Sequence, residues 1–172
     1  LLSEETMMKK AGKWIPYLFF IGAALAAGGI SYALSAQGMK SYSKEVIKPP
    51  LTPPDAVFPV VWSVLYVLMG IGAGRIYKSA GSGHMAAAGK TRRAFALWWG
   101  QLGLNFLGSP IFFGLGAYGA AFICLVVMVL AVLGMILEFL EIDRRAGFMQ
   151  IPYLAWLCFA GYLNLGVWKL NG

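Results

Sequence analysis

The run from Ala94 to Leu137 constrains the fold of this chain most strongly, because it contains no charged residue. A helix of about 20 apolar residues crosses the hydrocarbon core of a membrane, so this run is too long for one span and fits two. The turn-forming sequence Gly108-Ser109-Pro110 marks the break between them. The run therefore predicts two membrane helices, over residues 94–113 and 117–137.

Three further apolar segments have the same character, and each ends where charged residues return. Only 12% of the residues are charged, against about 25% in a soluble domain, so the solvent of this chain is expected to be lipid. The sequence predicts an all-α membrane protein, a single domain over residues 1–172 that forms a bundle of five transmembrane helices. The predicted spans are residues 14–36, 56–74, 94–113, 117–137 and 147–167.

The loop between the first two spans is rich in proline, with Pro49, Pro50, Pro53 and Pro54. Proline lacks a backbone donor and pushes the preceding residue out of the helical region, so residues 48–54 are expected to be stiff and extended. We call residues 48–54 the proline strap. The second helix is expected to begin near Ala56, with Asp55 as its N-cap.

The basic residues are distributed unevenly between the two sides of the predicted bundle. Ten of the 14 lysines and arginines lie in the amino-terminal segment and in the second and fourth loops. The other four lie on the side of the proline strap and the carboxyl terminus. The amino terminus is therefore expected on the cytoplasmic side of a bacterial membrane, or on the equivalent side in an organelle, and the excess charge is expected to set orientation and not to bind nucleic acid.

Several classes of chemistry are not supported by the sequence. No acidic or basic side chain lies at mid-membrane depth, where ion-coupled transporters usually place one. The chain has no metal-ligand spacing and no phosphate-binding glycine loop, and its single histidine has no orienting partner. We therefore predict no metal, no cofactor and no activated nucleophile.

Polar and aromatic side chains inside the spans remain as candidates for function. Gln101 and Asn105 share a helix face, and Asn164 lies in the fifth span. An amide in lipid needs a partner, so these side chains are expected to point into the bundle, either as contacts between helices or as part of a site. Trp62 and Trp156 lie well inside their spans, and beside the amides they would line an apolar pocket for a flat hydrophobic ligand.

A series of short motifs runs through the first loop and spans two to five. The first group is Lys48-Pro49, Pro53-Pro54, Val61-Trp62, Leu65-Tyr66 and Met69-Gly70. The second is Gln101-Leu102, Leu104-Asn105, Ser109-Pro110 and Phe112-Phe113-Gly114. The third is Pro152-Tyr153-Leu154-Ala155-Trp156, Phe159-Ala160 and Leu163-Asn164. In this order and placement, the motifs resemble the translocator protein family, also called the tryptophan-rich sensory protein or peripheral-type benzodiazepine receptor family.

The resemblance implies a five-helix bundle with a ligand pocket that opens under the first loop, which acts as a lid. The family binds porphyrins, cholesterol-like sterols and synthetic benzodiazepine-site ligands, which implies a membrane receptor, a sensor or a passive carrier. By position, the implied lid residues are Lys48, Pro49, Pro53 and Pro54. The implied ligand-binding residues are Trp62, Tyr66, Asn105, Trp156, Ala160 and Leu163. A homodimer through the third span is also implied, where Ala96 and Gly100 offer a small-residue face.

Two other functions stay open. Some bacterial members of the family are reported to degrade protoporphyrin in light, which implies Trp62 and Trp156 as the reacting residues, since an indole beside an excited macrocycle can donate an electron. A membrane scaffold, in which glycines and aromatic residues only pack, is the third possibility. The sequence also departs from the family, because Leu51, Ala56 and Gly108 stand where tryptophans often lie. We therefore expect a wider or less aromatic pocket.

Overall fold

The computed structural model of this chain describes residues 12–81 and 85–172, and for residues 85–87 the backbone alone. These described residues are helical with no strand, which confirms the all-α class. The long helices are α1 (Ile15–Glu45), α2 (Val57–Ala80), α3 (Met85–Ser109), α4 (Tyr118–Ile142) and α5 (Ile151–Asn171). A π-helical turn, Pro110–Gly114, follows α3, and a one-turn helix, Arg144–Phe148, precedes α5.

Four of the described helices are long and apolar enough to cross a membrane, namely α1, α2, α4 and the segment Arg144–Asn171 that contains α5. The third predicted span, residues 94–113, covers most of α3 and of the π-helical turn and is not among them. Its helix combines the basic residues Lys90, Arg92 and Arg93 with the amides Gln101 and Asn105, which lower its mean hydropathy. That α3 also crosses the membrane, and so completes the five predicted spans, therefore stays a prediction.

The observed helices continue beyond the predicted spans. Helix α1 runs past Ala36 to Glu45 and so includes the charged residues Lys40 and Lys44. Helix α4 likewise runs through the segment of mixed charge that was expected to be a loop, as far as Ile142. A span is limited by the apolar stretch that lipid requires, whereas a helix once formed gains a backbone hydrogen bond with each further residue.

The predicted break after Gly108 is a π-helical turn and not a loop. Pro110 has no N–H to donate, and its carbonyl accepts from the N–H of Leu115 at 3.0 Å, five residues further on. Gly38 of α1 packs against the backbone carbonyl of Phe113 in this turn. The wider turn thus brings the end of the third segment against α1.

The predicted N-cap of α2 is wrong. Ala56 precedes the helix and no side chain caps it. The N–H of Val57 donates a hydrogen bond to the Pro54 carbonyl at 2.9 Å. Asp55 turns instead toward the end of α1, where its carboxylate accepts a hydrogen bond from Ser43 Oγ at 2.8 Å.

Glycines allow α1 and α2 to pack closely. Gly28 of α1 lies against the ring of Tyr66, and Gly70 of α2 lies against the backbone of Ile21. Gly74 lies against Tyr17, so a Cβ at any of these three glycines would collide with the opposite helix. Gly70 and Gly74 therefore form a packing face of α2.

The remaining contacts place α1 against α2 and α3, α3 against α4, and α4 against α5. Helices α2 and α5 approach each other at few points. Between them lies a core of buried apolar side chains from every long helix, among them Phe20, Met69, Trp98, Val132 and Tyr153. The space between α2 and α5 is thus the least tightly closed interval around this core.

Candidate functional site

The first loop, residues 46–56, lies against the carboxyl-terminal half of α5. Asn171 bonds twice to the backbone of Ile47: its Oδ1 accepts from the N–H and its Nδ2 donates to the carbonyl, both at 2.9 Å. Tyr162 donates its hydroxyl proton to the Pro50 carbonyl at 3.0 Å. Pro49 is buried against Gly166, where a Cβ would lie 2.6 Å from the proline ring. The first loop is therefore attached to α5 at three places, two of which, Pro49 and Pro50, lie in the proline strap.

Contacts within the loop hold its shape. Thr52 Oγ1 donates to the Pro49 carbonyl at 2.7 Å. Lys48 Nζ lies 3.3 Å from Asp55 Oδ1 and 5.2 Å from the centroid of the Tyr42 ring. The hydrogen bond from Ser43, followed by the hydrogen bond and the charge of Lys48, holds the pKa of Asp55 below its usual value. The loop is non-helical, as predicted, and is tied to the end of α1 as well as to α5.

One residue of the strap departs from extended backbone. Leu51 has a φ of 65°, in the left-handed region that residues other than glycine seldom adopt. Its side chain is 79% exposed, so packing of the side chain does not explain this conformation. The residue lies in a turn beside Pro50, whose carbonyl accepts a hydrogen bond from Tyr162.

Aromatic side chains line the interval between α2 and α5 next to the strap. Trp62 stacks on Tyr66 with ring centroids 5.5 Å apart, and it meets the edge of Tyr153 at 6.1 Å. Nearer the loop, Trp156 meets the edge of Phe58 at 5.9 Å. Both tryptophans are half-buried and pack against the core. We call the five aromatic residues of these two groups, which lie on α2 and α5, the aromatic row.

A hydrogen-bonded network joins this row to α3. Tyr66 donates its hydroxyl proton to Asn105 Oδ1 at 2.6 Å, and Asn105 Nδ2 donates to the Tyr153 hydroxyl at 3.2 Å. Tyr153 in turn donates to Gln101 Oε1 at 2.8 Å, and Gln101 Nε2 donates to the Trp98 carbonyl at 3.0 Å. All these side chains are buried. The two amides of α3 therefore point inward, and their hydrogen bonds link three helices.

Five buried side-chain polar atoms have no hydrogen-bond partner among the described residues, and two of them, Trp156 Nε1 and Asn164 Oδ1, lie on α5. They lie about two helical turns apart, a rise of about 12 Å, with Ala160 between them on the same face. An unpaired buried donor or acceptor costs about 1–3 kcal/mol. This face of α5 thus carries a donor and an acceptor that the protein itself leaves unsatisfied.

An open apolar groove of about 660 Å³ lies where α2 and α5 diverge. Its lining side chains are Val60, Val61, Val64, Leu65, Leu68, Pro152, Ala155, Trp156 and Phe159. Trp156 belongs both to this groove and to the aromatic row, so the groove reaches the row from the lipid-facing side of the protein.

The structure divides the predicted ligand residues into two groups. Tyr66 and Asn105 are bonded to each other within the network. Trp156 and Ala160 lie on the α5 face with the unpaired atoms, and Leu163 is buried one turn further along that helix. Trp62 belongs with the first group, because it is stacked on Tyr66 and meets the edge of Tyr153. Their function as one ligand site stays a prediction.

Sequence reasoning missed three residues that organise this region, Tyr153, Tyr162 and Asn171. The helical spacing of Tyr153, Trp156, Ala160 and Asn164 would have indicated that Tyr153 shares their face. For Tyr162 and Asn171 there was no comparable signal, because their partners are backbone atoms of the first loop, more than a hundred residues away in sequence.

The small residues of α3 face outward. Ala96 and Gly100 are exposed, and a Cβ built at Gly100 or at Gly103 would meet no other atom within 4 Å. This face takes no part in the packing of the single chain.

The length and hydropathy of these helices define a helical integral membrane protein. The family model described as the TspO/MBR family matches residues 20–169, and the chain belongs to that family. Protein CrtK of Rhodobacter capsulatus is 36% identical over 154 residues, which cover 90% of this chain and 91% of that protein.

Other relatives come from bacteria and from animals. The tryptophan-rich sensory protein of Cereibacter sphaeroides is 32% identical over 158 residues, which cover 92% of each chain. The translocator protein of Homo sapiens is 32% identical over 165 residues, which cover 94% of this chain and 93% of that protein. The resemblance predicted from the sequence motifs is therefore confirmed.

Proposed function

We propose that this protein is a membrane receptor, sensor or passive carrier that binds a flat hydrophobic ligand between its helices, below the first loop. The ligand classes are porphyrins and other tetrapyrroles, sterol-like molecules and benzodiazepine-site ligands. The observation that carries the proposal is the pair of unpartnered buried atoms, Trp156 Nε1 and Asn164 Oδ1, on one aromatic-lined face. A flat ligand stacks on the indoles, while its polar groups supply the missing acceptor and donor.

Each predicted residue has a distinct part in this proposal. Trp62 and Trp156 offer ring surface to the ligand, and Ala160 leaves space between the two polar atoms of α5. Leu163 closes the site on the side of the helix core. Tyr66 and Asn105 form the boundary of the site where it meets the hydrogen-bonded network.

In this proposal the proline strap is the lid, with Lys48, Pro49, Pro53 and Pro54 as its residues. Its attachment to α5 is separable, because it consists of a few hydrogen bonds and the contact of Pro49 with Gly166. The groove between α2 and α5 provides a second route, by which a ligand dissolved in lipid reaches Trp156 without displacing the strap.

The proposal includes a single five-span domain over residues 1–172, with α3 as the remaining transmembrane helix. Arg93 of α3 pairs with Glu138 of α4 at 2.7 Å, and Lys90 pairs with Glu141. These pairs support the proposal, because they align the charged end of α3 with the end of a helix that has the length and hydropathy of a span.

We also propose a homodimer through α3, with the exposed Ala96 and Gly100 at its centre. The excess of basic residues further supports an orientation in which the amino terminus lies on the cytoplasmic side or its organelle equivalent, opposite the strap. Lys9 and Lys10, which contribute to that excess, lie outside the described residues.

Porphyrin binding in the dark tests the principal proposal. Purified protein in lipid nanodiscs is titrated with protoporphyrin, and the absorbance of the porphyrin itself reports binding, so that replacing a tryptophan does not remove the reporter. Trp156→Phe is expected to raise Kd about tenfold, because the donor is lost while a ring is kept. Trp14→Phe is the control, since Trp14 is 65% exposed at the start of α1, and its Kd should equal that of the wild type.

The same samples separate the other two functions. Light-dependent degradation is favoured by one observation, that Trp62 has the rings of Tyr66 and Tyr153 beside it as electron donors to an oxidised indole. Illumination in the presence of oxygen should then convert bound porphyrin to products with new absorbance bands, which disappear in the Trp62→Phe, Trp156→Phe double variant. Binding without spectral change supports the receptor or carrier, and absence of binding by every ligand class supports a scaffold.

A further inference from the structure

A polar cleft of about 260 Å³ lies at the opposite end of the helices from the proline strap. Its lining side chains are Tyr17 of α1, Arg75, Lys78 and Ser79 of α2, and Asp143, which follows α4. Arg75 is separated from Phe58, beside the strap, by a helical rise of about 25 Å. The cleft is therefore distinct from the region assigned to the flat ligand.

The charges in this cleft do not balance. Arg75 Nη2 lies 2.7 Å from Asp143 Oδ2, which pairs one cation with one anion. The other oxygen of Asp143 accepts the backbone N–H of Arg145 at 2.9 Å and that of Ala146 at 3.2 Å. No carboxylate of the described residues pairs with Lys78, whose Nζ lies 5.4 Å from the centroid of the Tyr17 ring. The cleft thus keeps a net positive charge.

Neighbouring acids do not supply the missing anion, because they are already engaged. Glu141 pairs with Lys90, and Glu138 accepts from Arg93 Nε at 2.7 Å. Arg144 is exposed beside Asp143 and adds further positive charge at this end. An anion entering the cleft therefore meets basic groups without a competing free carboxylate on the described lining.

The guanidinium of Arg75 has hydrogen-bonding capacity that the described residues do not use. Its Nε is buried and has no hydrogen-bond partner among the described residues, although Nη2 is bonded to Asp143. A guanidinium presents its N–H groups as a planar fork, and a phosphate offers several acceptor oxygens around one centre. A phosphate in this cleft would offer acceptor oxygens both to the guanidinium of Arg75 and to the ammonium of Lys78, which line it together.

We propose that this cleft binds a phosphate group, and that the group is carried by an anionic phospholipid. The apolar side chains beside the cleft favour a lipid over free phosphate, since Trp14, Ile15 and Leu18 of α1 are 65%, 63% and 68% exposed. Acyl chains pack along this face while the headgroup enters between α1 and α2. Basic pockets between membrane helices on the cytoplasmic side are suited to such headgroups.

Native mass spectrometry of the full chain, with phosphatidylglycerol and phosphatidylcholine added in equal amounts, tests this site. Wild-type protein is expected to retain one phosphatidylglycerol per chain in preference to phosphatidylcholine. Lys78→Gln should raise the Kd for phosphatidylglycerol about tenfold, and Lys78→Arg should restore binding. The matched control is Arg92→Gln, which removes a charge from an exposed residue outside the cleft and should leave Kd unchanged.

Further arms identify the source of the phosphate and guard against misfolding. Inorganic phosphate that displaces the lipid, or binds in its absence, supports the same phosphate chemistry with a soluble source. Equal retention of phosphatidylglycerol by Lys78→Gln, Arg75→Lys and the wild type would overturn the proposal. Thermal unfolding and porphyrin affinity of Lys78→Gln are expected to be unchanged, so failure of the cleft and failure of the ligand site are distinguishable.

Discussion

The interior of this protein contains two sets of polar side chains that differ in whether they have hydrogen-bond partners. Tyr66, Asn105, Tyr153 and Gln101 form a continuous network of hydrogen bonds across three helices. On α5, Trp156 Nε1 and Asn164 Oδ1 are buried without a partner among the described residues. The first set links the helices, whereas the second leaves a buried donor and a buried acceptor unsatisfied. The presence of an amide inside a membrane helix therefore does not by itself indicate its role, which depends on its hydrogen-bond partners.

Replacing the network amide should have the largest effect. Asn105→Leu leaves the Tyr66 hydroxyl without its acceptor and the Tyr153 hydroxyl without one of its donors, both in a buried setting. The free energy of unfolding is expected to fall by about 2–3 kcal/mol, the cost of leaving such groups unpaired. Chemical unfolding in detergent measures it. A loss below about 0.5 kcal/mol would show that the network is not needed for packing.

Replacing the buried amide of α5 should not lower the free energy of unfolding. Asn164→Leu removes a buried acceptor that has no partner among the described residues, so the free energy of unfolding should stay constant or rise by about 1 kcal/mol. The Kd for protoporphyrin should rise about tenfold in the same variant, because the ligand loses its acceptor. Loss of stability similar to that of Asn105→Leu would remove the distinction between the two sets.

A smaller effect is expected where the first loop meets α5. Asn171→Ala removes both hydrogen bonds to the backbone of Ile47, which are exposed and worth about 1 kcal/mol together. Stopped-flow mixing with porphyrin should show faster association and faster release, with little change in Kd. The matched control is Asn171→Asp, which keeps the acceptor for the Ile47 N–H. Unchanged rates in Asn171→Ala would mean that the strap does not control access.

The smallest effect concerns pH. The hydrogen bonds from Ser43 and Lys48 lower the pKa of Asp55 below 3.8, so its contribution to holding the loop is complete above that value. It is lost as the pH falls from about 3.8 through the lower folded pKa. The protection of the loop amides against hydrogen exchange should fall only as the pH drops through this range, and Asp55→Asn should remove the dependence. Acceleration between pH 7 and pH 5 would point to a different titrating group.

Much of the architecture was predictable from local sequence. The uncharged runs determine where helices cross lipid, and the prolines of the strap prevent helix there whatever surrounds them. Boundaries were predicted less well, since α1 and α4 continue into charged segments where the hydropathy signal ends but helix propagation does not. The N-cap at Asp55 failed because a competing partner, Ser43, lies at the end of another helix.

The sequence by itself determined the membrane class, the proline strap and the presence of amides and tryptophans within the spans, because each follows from the chemistry of neighbouring residues. Only the tertiary structure decided which asparagine side chain has its hydrogen-bond partners. Asn105 and Asn164 both lie in uncharged stretches of the chain, and their neighbours in sequence do not distinguish their partners. Asn105 faces two tyrosine hydroxyls, from α2 and α5, while the Asn164 carbonyl oxygen faces none. Hydrogen bonds act over about 3 Å, so helix placement sets them.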